Sequence, residues 1–87
     1  MSRKMDMSHV DEIIDTMGID AAEVKRRFEE QVGRMKTWQI LKVLTDDQSV
    51  VDHITEYVDV QGYNCRVTDY GSGRWAIYVQ ITEVDLL

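Results

Sequence analysis

The side chains in this sequence able to do covalent or acid–base chemistry are few and scattered. Cys65 is the only cysteine, and His9 and His53 are the only histidines. A thiol works as a nucleophile when exposure and an electropositive or helix-terminal setting stabilise its thiolate. Cys65 sits instead in the alternation Tyr63, Cys65, Val67, which reads as one face of a strand, with Arg66 pointing to the other face. Core packing is the simpler reading of Cys65, and a reactive thiol is its alternative. Asp52, Glu56 and Asp59 surround His53 in sequence, yet neither histidine belongs to a His-Glu-x-x-His pair or any other complete ligand spacing. No metal site is expected. His53 reads as a solvated helix residue, with pH-sensitive partner contact as its functional alternative.

Asp46 and Asp47 are adjacent carboxylates and could imitate a catalytic pair. Their place before a helical pattern explains them better, one capping the helix and the other facing water. The turn Gly71-Ser72-Gly73 lacks the following helix and lysine of a phosphate-binding loop. Trp38 and Trp75 can form an aromatic recognition surface, but packing in a central strand and a hairpin is the simpler role for them. The sequence therefore contains no complete catalytic, cofactor-binding or metal-binding constellation, and the expectation is a protein that is not an enzyme and carries no cofactor.

The elements that position these residues are organised around residues 38–48, WQILKVLTDDQ. Trp38, Ile40, Leu41, Val43 and Leu44 are the densest cluster of strand formers, so a central strand is predicted there, ending at the paired aspartates. Upstream, Asp20 followed by Glu23 has the form of a capping box, and Val24, Phe28 and Val32 repeat at helical spacing to an end between Val32 and Met35. Downstream, Val50, Val51, Ile54, Tyr57 and Val58 form the stripe of a second helix that stops at Gly62. The last region is a hairpin: Tyr63, Cys65 and Val67, then the turn at residues 69–73, then Trp75, Ile77, Val79 and Ile81. The odd-numbered residues of both strands should face the helices. Ile40, Leu44, Ala76 and Tyr78 should leave the opposite face partly apolar, a surface for a dimer or partner contact.

Residues 8–18 admit two readings. Val10, Ile13, Ile14 and Met17 recur at helical spacing with Ser8 and Asp11 as a cap, which favours a helix on local signals; a short edge strand over residues 12–16 is the rival.

A length of 87 residues allows one domain, and 44% hydrophobic with 30% charged residues suits a folded one. No apolar run is long enough to span a bilayer as a helix. Sixteen acidic against ten basic residues give a net charge of -6, which disfavours nucleic acid and anionic membranes as partners. The local exception is Lys25, Arg26 and Arg27, extended by Arg34 and Lys36 and diluted by Glu29 and Glu30. It reads as a solvated helix face, or as a docking patch for an acidic partner. A single cysteine permits no internal disulfide, so a cytoplasmic location is the default. Residues 1–11 read as a flexible tail, residues 12–82 as the domain, and residues 83–87 as a strand extension or tail.

The order of these signals resembles the TusA/SirA-like sulfur-carrier family at IIDTMGIDAAEV, LKVLTDDQSVVDHI, GYNCRV and WAIYVQI, across roughly residues 12–81. The resemblance implies an α+β, two-layer βαβαββ sandwich, a mixed four-stranded sheet with two helices on one face. It makes residues 12–16 a strand, against the local helical preference. It also implies a sulfur-accepting cysteine followed by proline at the first helix, where this sequence has Ala21 and Ala22, and a proline after the paired aspartates, where it has Gln48. Alanine cannot ionise or hold transferable sulfur. The expected function is a noncatalytic protein-binding or assembly domain, with a homodimer or protein partner and Lys25, Arg26 and Tyr78 in the contact surface. The alternatives are a sulfur-transfer or redox accessory using Cys65, and a small nucleic-acid-associated regulator.

Overall fold

The computed structural model describes residues 5–83. Six elements follow in the order β1 (Glu12–Asp15), α1 (Ala21–Arg34), β2 (Ile40–Thr45), α2 (Gln48–Gln61), β3 (Asn64–Asp69) and β4 (Trp75–Gln80). The strands form one sheet in the order β1-β2-β4-β3, with β1 parallel to β2 and β4 antiparallel to both β2 and β3. Strands β2 and β3 therefore run the same way with a gap between them, and the closing hairpin fills that gap with β4. This is the mixed four-stranded α+β sandwich that the family resemblance implies.

Residues 12–15 form a strand, so the helical reading of residues 8–18 is overturned. Its apolar period has a different cause: Val10 packs against one side of the sheet and Ile14 against the other, while Ile13 stays 60% exposed. Tertiary pairing outweighs the local period. Asp11 exchanges backbone and side-chain hydrogen bonds with Ile40, and both the amide and the hydroxyl of buried Thr16 donate to the Leu44 carbonyl.

The core lies between the helices and the sheet. Phe28 is fully buried among Val24 and Val32 of α1, Val50, Ile54 and Val58 of α2, and Leu41, Val43, Ile77 and Val79 of β2 and β4. Tyr57 meets the Phe28 ring edge-on at a centroid distance of 5.3 Å. The odd-numbered residues of β4 face the helices as predicted, but on β3 the helix layer thins out, and Val67 is exposed.

Three local expectations change. Trp38 is outside the central strand: it adopts φ 74 in the turn that precedes Ile40, and its amide donates to the Ile81 carbonyl. Asp20 holds the N-cap position of α1 but makes no side-chain cap bond, and Glu23 turns to arginine instead of closing a capping box. Residues 5–11 are not a loose tail, because Met5, Met7 and Val10 pack on the sheet and Asp11 bonds to Ile40. Glu83 belongs to no strand, and the rest of the predicted C-terminal extension lies outside the described residues.

Candidate functional site

Two strand-to-helix junctions meet at one end of the sheet. The chain leaves β1 through Thr16, turns at Gly18 with φ 74, and enters α1 at Ala21. It leaves β2 at Thr45 and enters α2 beyond Asp47. Asp46 ties the junctions together, because its Oδ2 accepts the Gly18 amide at 3.1 Å. Asp47 caps α2, with Oδ1 accepting the Ser49 amide at 2.9 Å and the Ser49 hydroxyl at 2.7 Å. Those two bonds hold the Asp47 carboxyl below its usual range, and the charge of Lys25 adds to the effect. The paired carboxylates thus have separate structural roles, and the Gly18–Asp46 bond is a long-range contact that no spacing in the sequence announces.

Ala21 and Ala22 occupy the first turn of α1 above this junction. They present methyl groups. Neither methyl can act as nucleophile, acid or base, and the carboxylate of this turn, Glu23, is engaged by Arg26 and Arg27.

The arginines of the basic run on α1 are already engaged by glutamates of the same helix. Arg26 donates to Glu23 at 2.6 Å and to Glu30 at 2.8 Å, Arg27 donates to Glu23 at 3.0 Å, and Arg34 donates to Glu30 at 2.8 Å. Hydrogen bonds from Arg26 and then Arg27 pull the Glu23 carboxyl down to about 2. Arg26, Arg27, Glu30 and Gln31, with Ile14 of the neighbouring strand, line a shallow groove of about 310 Å³. Lys25 is half-buried on the side toward Asp47, so the predicted pair Lys25 and Arg26 does not present one cationic patch.

Cys65 lies half-buried on β3, on the helix side of the sheet, and burial pushes its thiol up in pKa. His53 is less solvated than the helix pattern suggests: it is half-buried beside Glu56, Tyr57 and Val60, and its Nε2 is buried without a hydrogen-bond partner among the described residues. No group of three or more His, Cys, Asp or Glu side chains among the described residues is placed to hold a metal ion.

Tyr78 is corrected most clearly. It is only 8% exposed, on the sheet face opposite the helices, where Lys42 Nζ lies 5.3 Å from its ring centroid. Ile40, Ala76 and Tyr78 form a second cluster there, and Met5, Met7, Val10 and Leu44 pack against it. The apolar face expected to be open is covered by the chain's own N-terminal segment. The signal in the sequence was the spacing of Met5, Met7 and Val10 in a stretch otherwise polar.

With this geometry in place, the chain is similar in structure to the crystal structure of a SirA-like protein from Desulfitobacterium hafniense. The TM-score is 0.65 at 16% sequence identity, and the match covers 83% of this chain and 99% of the other. The fold is SirA-like. No protein-family model matches this sequence, and no curated protein matches it significantly. Among the described residues no helix is long and apolar enough to cross a membrane.

Proposed function

We infer that this chain is a divergent TusA/SirA-like domain that binds or assembles proteins and does not catalyse sulfur transfer. The observation that carries the reading is the first turn of α1, where Ala21 and Ala22 stand in place of the sulfur-accepting cysteine and proline of the family it resembles. Without a thiol at this turn there is no atom to accept sulfur from a persulfide. The rest of the junction survives, with Asp46 bridging to Gly18 and Asp47 capping α2, so the scaffold is kept without the group that would react. A binding role uses surface and asks for no cofactor. Free Cys65 and the lack of any disulfide suit the reducing cytoplasm, where we place the protein.

Neither alternative gains from the geometry. A half-buried thiol with a raised pKa has little thiolate to attack with, which argues against Cys65 as a carrier. Arginines engaged by glutamates on their own helix have little charge left for phosphates, which argues against a nucleic-acid role.

The test is sulfur uptake measured by intact-protein mass after incubation with a cysteine desulfurase and cysteine, in parallel with affinity purification of bound proteins. The expected outcome is no added sulfur in wild type or Cys65→Ser, together with a saturable protein partner or self-association. Sulfur gained by wild type and lost in Cys65→Ser would overturn the reading.

A further inference from the structure

The sheet face opposite the helices is ruled into rows by strand register. One row is Ile13, Lys42, Tyr78 and Arg66; the next is Asp15, Leu44, Ala76 and Thr68. The apolar centre of this face is buried by Met5, Met7 and Val10. Yet the hydrogen bonds that residues 5–10 make with other described residues close on the segment and its hinge: Ser8 donates to the Asp6 carboxylate, the His9 amide to the Asp6 carbonyl, and the His9 ring pairs with Asp11. Backbone pairing with the sheet begins at Asp11. Among the described residues, side-chain contact alone therefore holds the segment on the sheet, and lifting it from a hinge at Asp11 breaks no sheet hydrogen bond between them.

The charges around this centre are also distinctive. On α1, Arg26, Arg27 and Arg34 all meet glutamates, whereas Asp15, Lys42 and Arg66 on the sheet face make no ion pair among the described residues. Asp15 stands on the β1 edge and Arg66 on the β3 edge, at opposite sides of the sheet.

We propose that this sheet face is a homodimer surface, and that residues 5–10 are a strap that occupies it in the single chain and must lift before two copies meet. The proposal rests on the binding reading above and names its partner. Two sheets packed face to face about a two-fold axis along the strands place β1 over the partner's β3 and β2 over the partner's β4. Asp15 of each copy then lies opposite the partner's Thr68 and diagonal to the partner's Arg66, one row away, and Lys42 lies opposite the partner's Tyr78. This self-complementary pattern singles out a second copy over a partner carrying one sign of charge. Because both straps must be open, a strap open about one-tenth of the time weakens association about a hundred-fold.

Sedimentation velocity on the full chain tests this, comparing wild type with Met5→Ser/Met7→Ser and with Val10→Ser, each shown to be folded by circular dichroism. The expected result is a wild type monomeric at micromolar concentration and a substituted chain that dimerises at least about ten-fold more tightly. Arg66→Glu in the opened chain should abolish the dimer, and adding Asp15→Arg should restore it. In wild type at millimolar concentration, the Met5 and Met7 methyl resonances should move to solvent-like positions as the dimer forms. Absence of a dimer in every folded substituted chain overturns the proposal, including the case where the face binds an apolar dye while the chain stays monomeric. So does a dimer indifferent to charge reversal, or one in which the methionine methyls stay packed. A monomeric opened chain leaves the broader binding reading standing, whereas sulfur uptake sinks that reading by a separate measurement.

Discussion

The two titratable residues with most to say are Glu23 and Cys65, and they are perturbed for opposite reasons. Glu23 is partly exposed and collects hydrogen bonds from Arg26 and Arg27, which lower its carboxyl from 4.5 to about 2. A carboxyl depressed in the folded state adds stability above its unfolded pKa and loses it as pH falls through the folded value. The Glu23 contribution is thus complete above pH 4.5 and gone below about pH 2. Thermal melts over that window should show wild type losing more stability than Glu23→Gln, and added salt should shrink the difference because these pairs face solvent. Cys65 is shifted upward by burial. Iodoacetamide at mildly alkaline pH should alkylate it more slowly in the native protein than in denaturant, as followed by mass spectrometry. Equal rates would contradict the half-buried placement.

At the scale of elements, capping separates the two helices. Helix α2 has a side-chain cap at Asp47 and a left-handed residue at Gly62, where the Gly62 amide reaches the Asp59 carbonyl and the Tyr63 amide reaches the Val58 carbonyl. That closure turns the chain directly into β3. A Cβ at Gly62 would meet open space, so the cost of Gly62→Ala is backbone strain alone, about 1–2 kcal/mol. Chemical denaturation should show that loss with an unchanged m-value. Helix α1 lacks a side-chain N-cap and relies on packing through Val24, Phe28 and Val32, with its ion pairs outside. The sequence showed both helices because their apolar stripes are long and regular. It showed β1 only through the family resemblance, since four residues with one exposed isoleucine carry too little pattern to outweigh a helical period.

The whole molecule has two apolar layers of unequal strength. Between helices and sheet lies the main core centred on Phe28; on the other side of the sheet a thin layer is made by Met5, Met7 and Val10 over Ile40, Ala76 and Tyr78. Truncating the fully buried ring should cost about 3–5 kcal/mol, while Met7→Ala, at a half-buried position, should cost under about 2 kcal/mol. Urea unfolding of Phe28→Ala and Met7→Ala measures both. A loss as large for Met7→Ala as for Phe28→Ala would mean that the strap is part of the folding core and not a separable cover.

The sequence by itself determined α1, α2, β2 and β4, because their amphipathic stripes and strand formers each have only one way to bury their apolar side, whereas β1 and the four-stranded order followed from the family resemblance. It also determined what the first turn of α1 lacks, since a thiol cannot be supplied by folding. The tertiary structure decided what depends on residues far apart in the chain. Asp46 bonds Gly18 across a separation of 28 residues, Asp11 docks on Ile40, and Met5 and Met7 reach a face built from β2 and β4. No local period records such contacts. That is why Tyr78, apolar on an outward-pointing position, read as open surface, whereas the fold puts it beneath the strap.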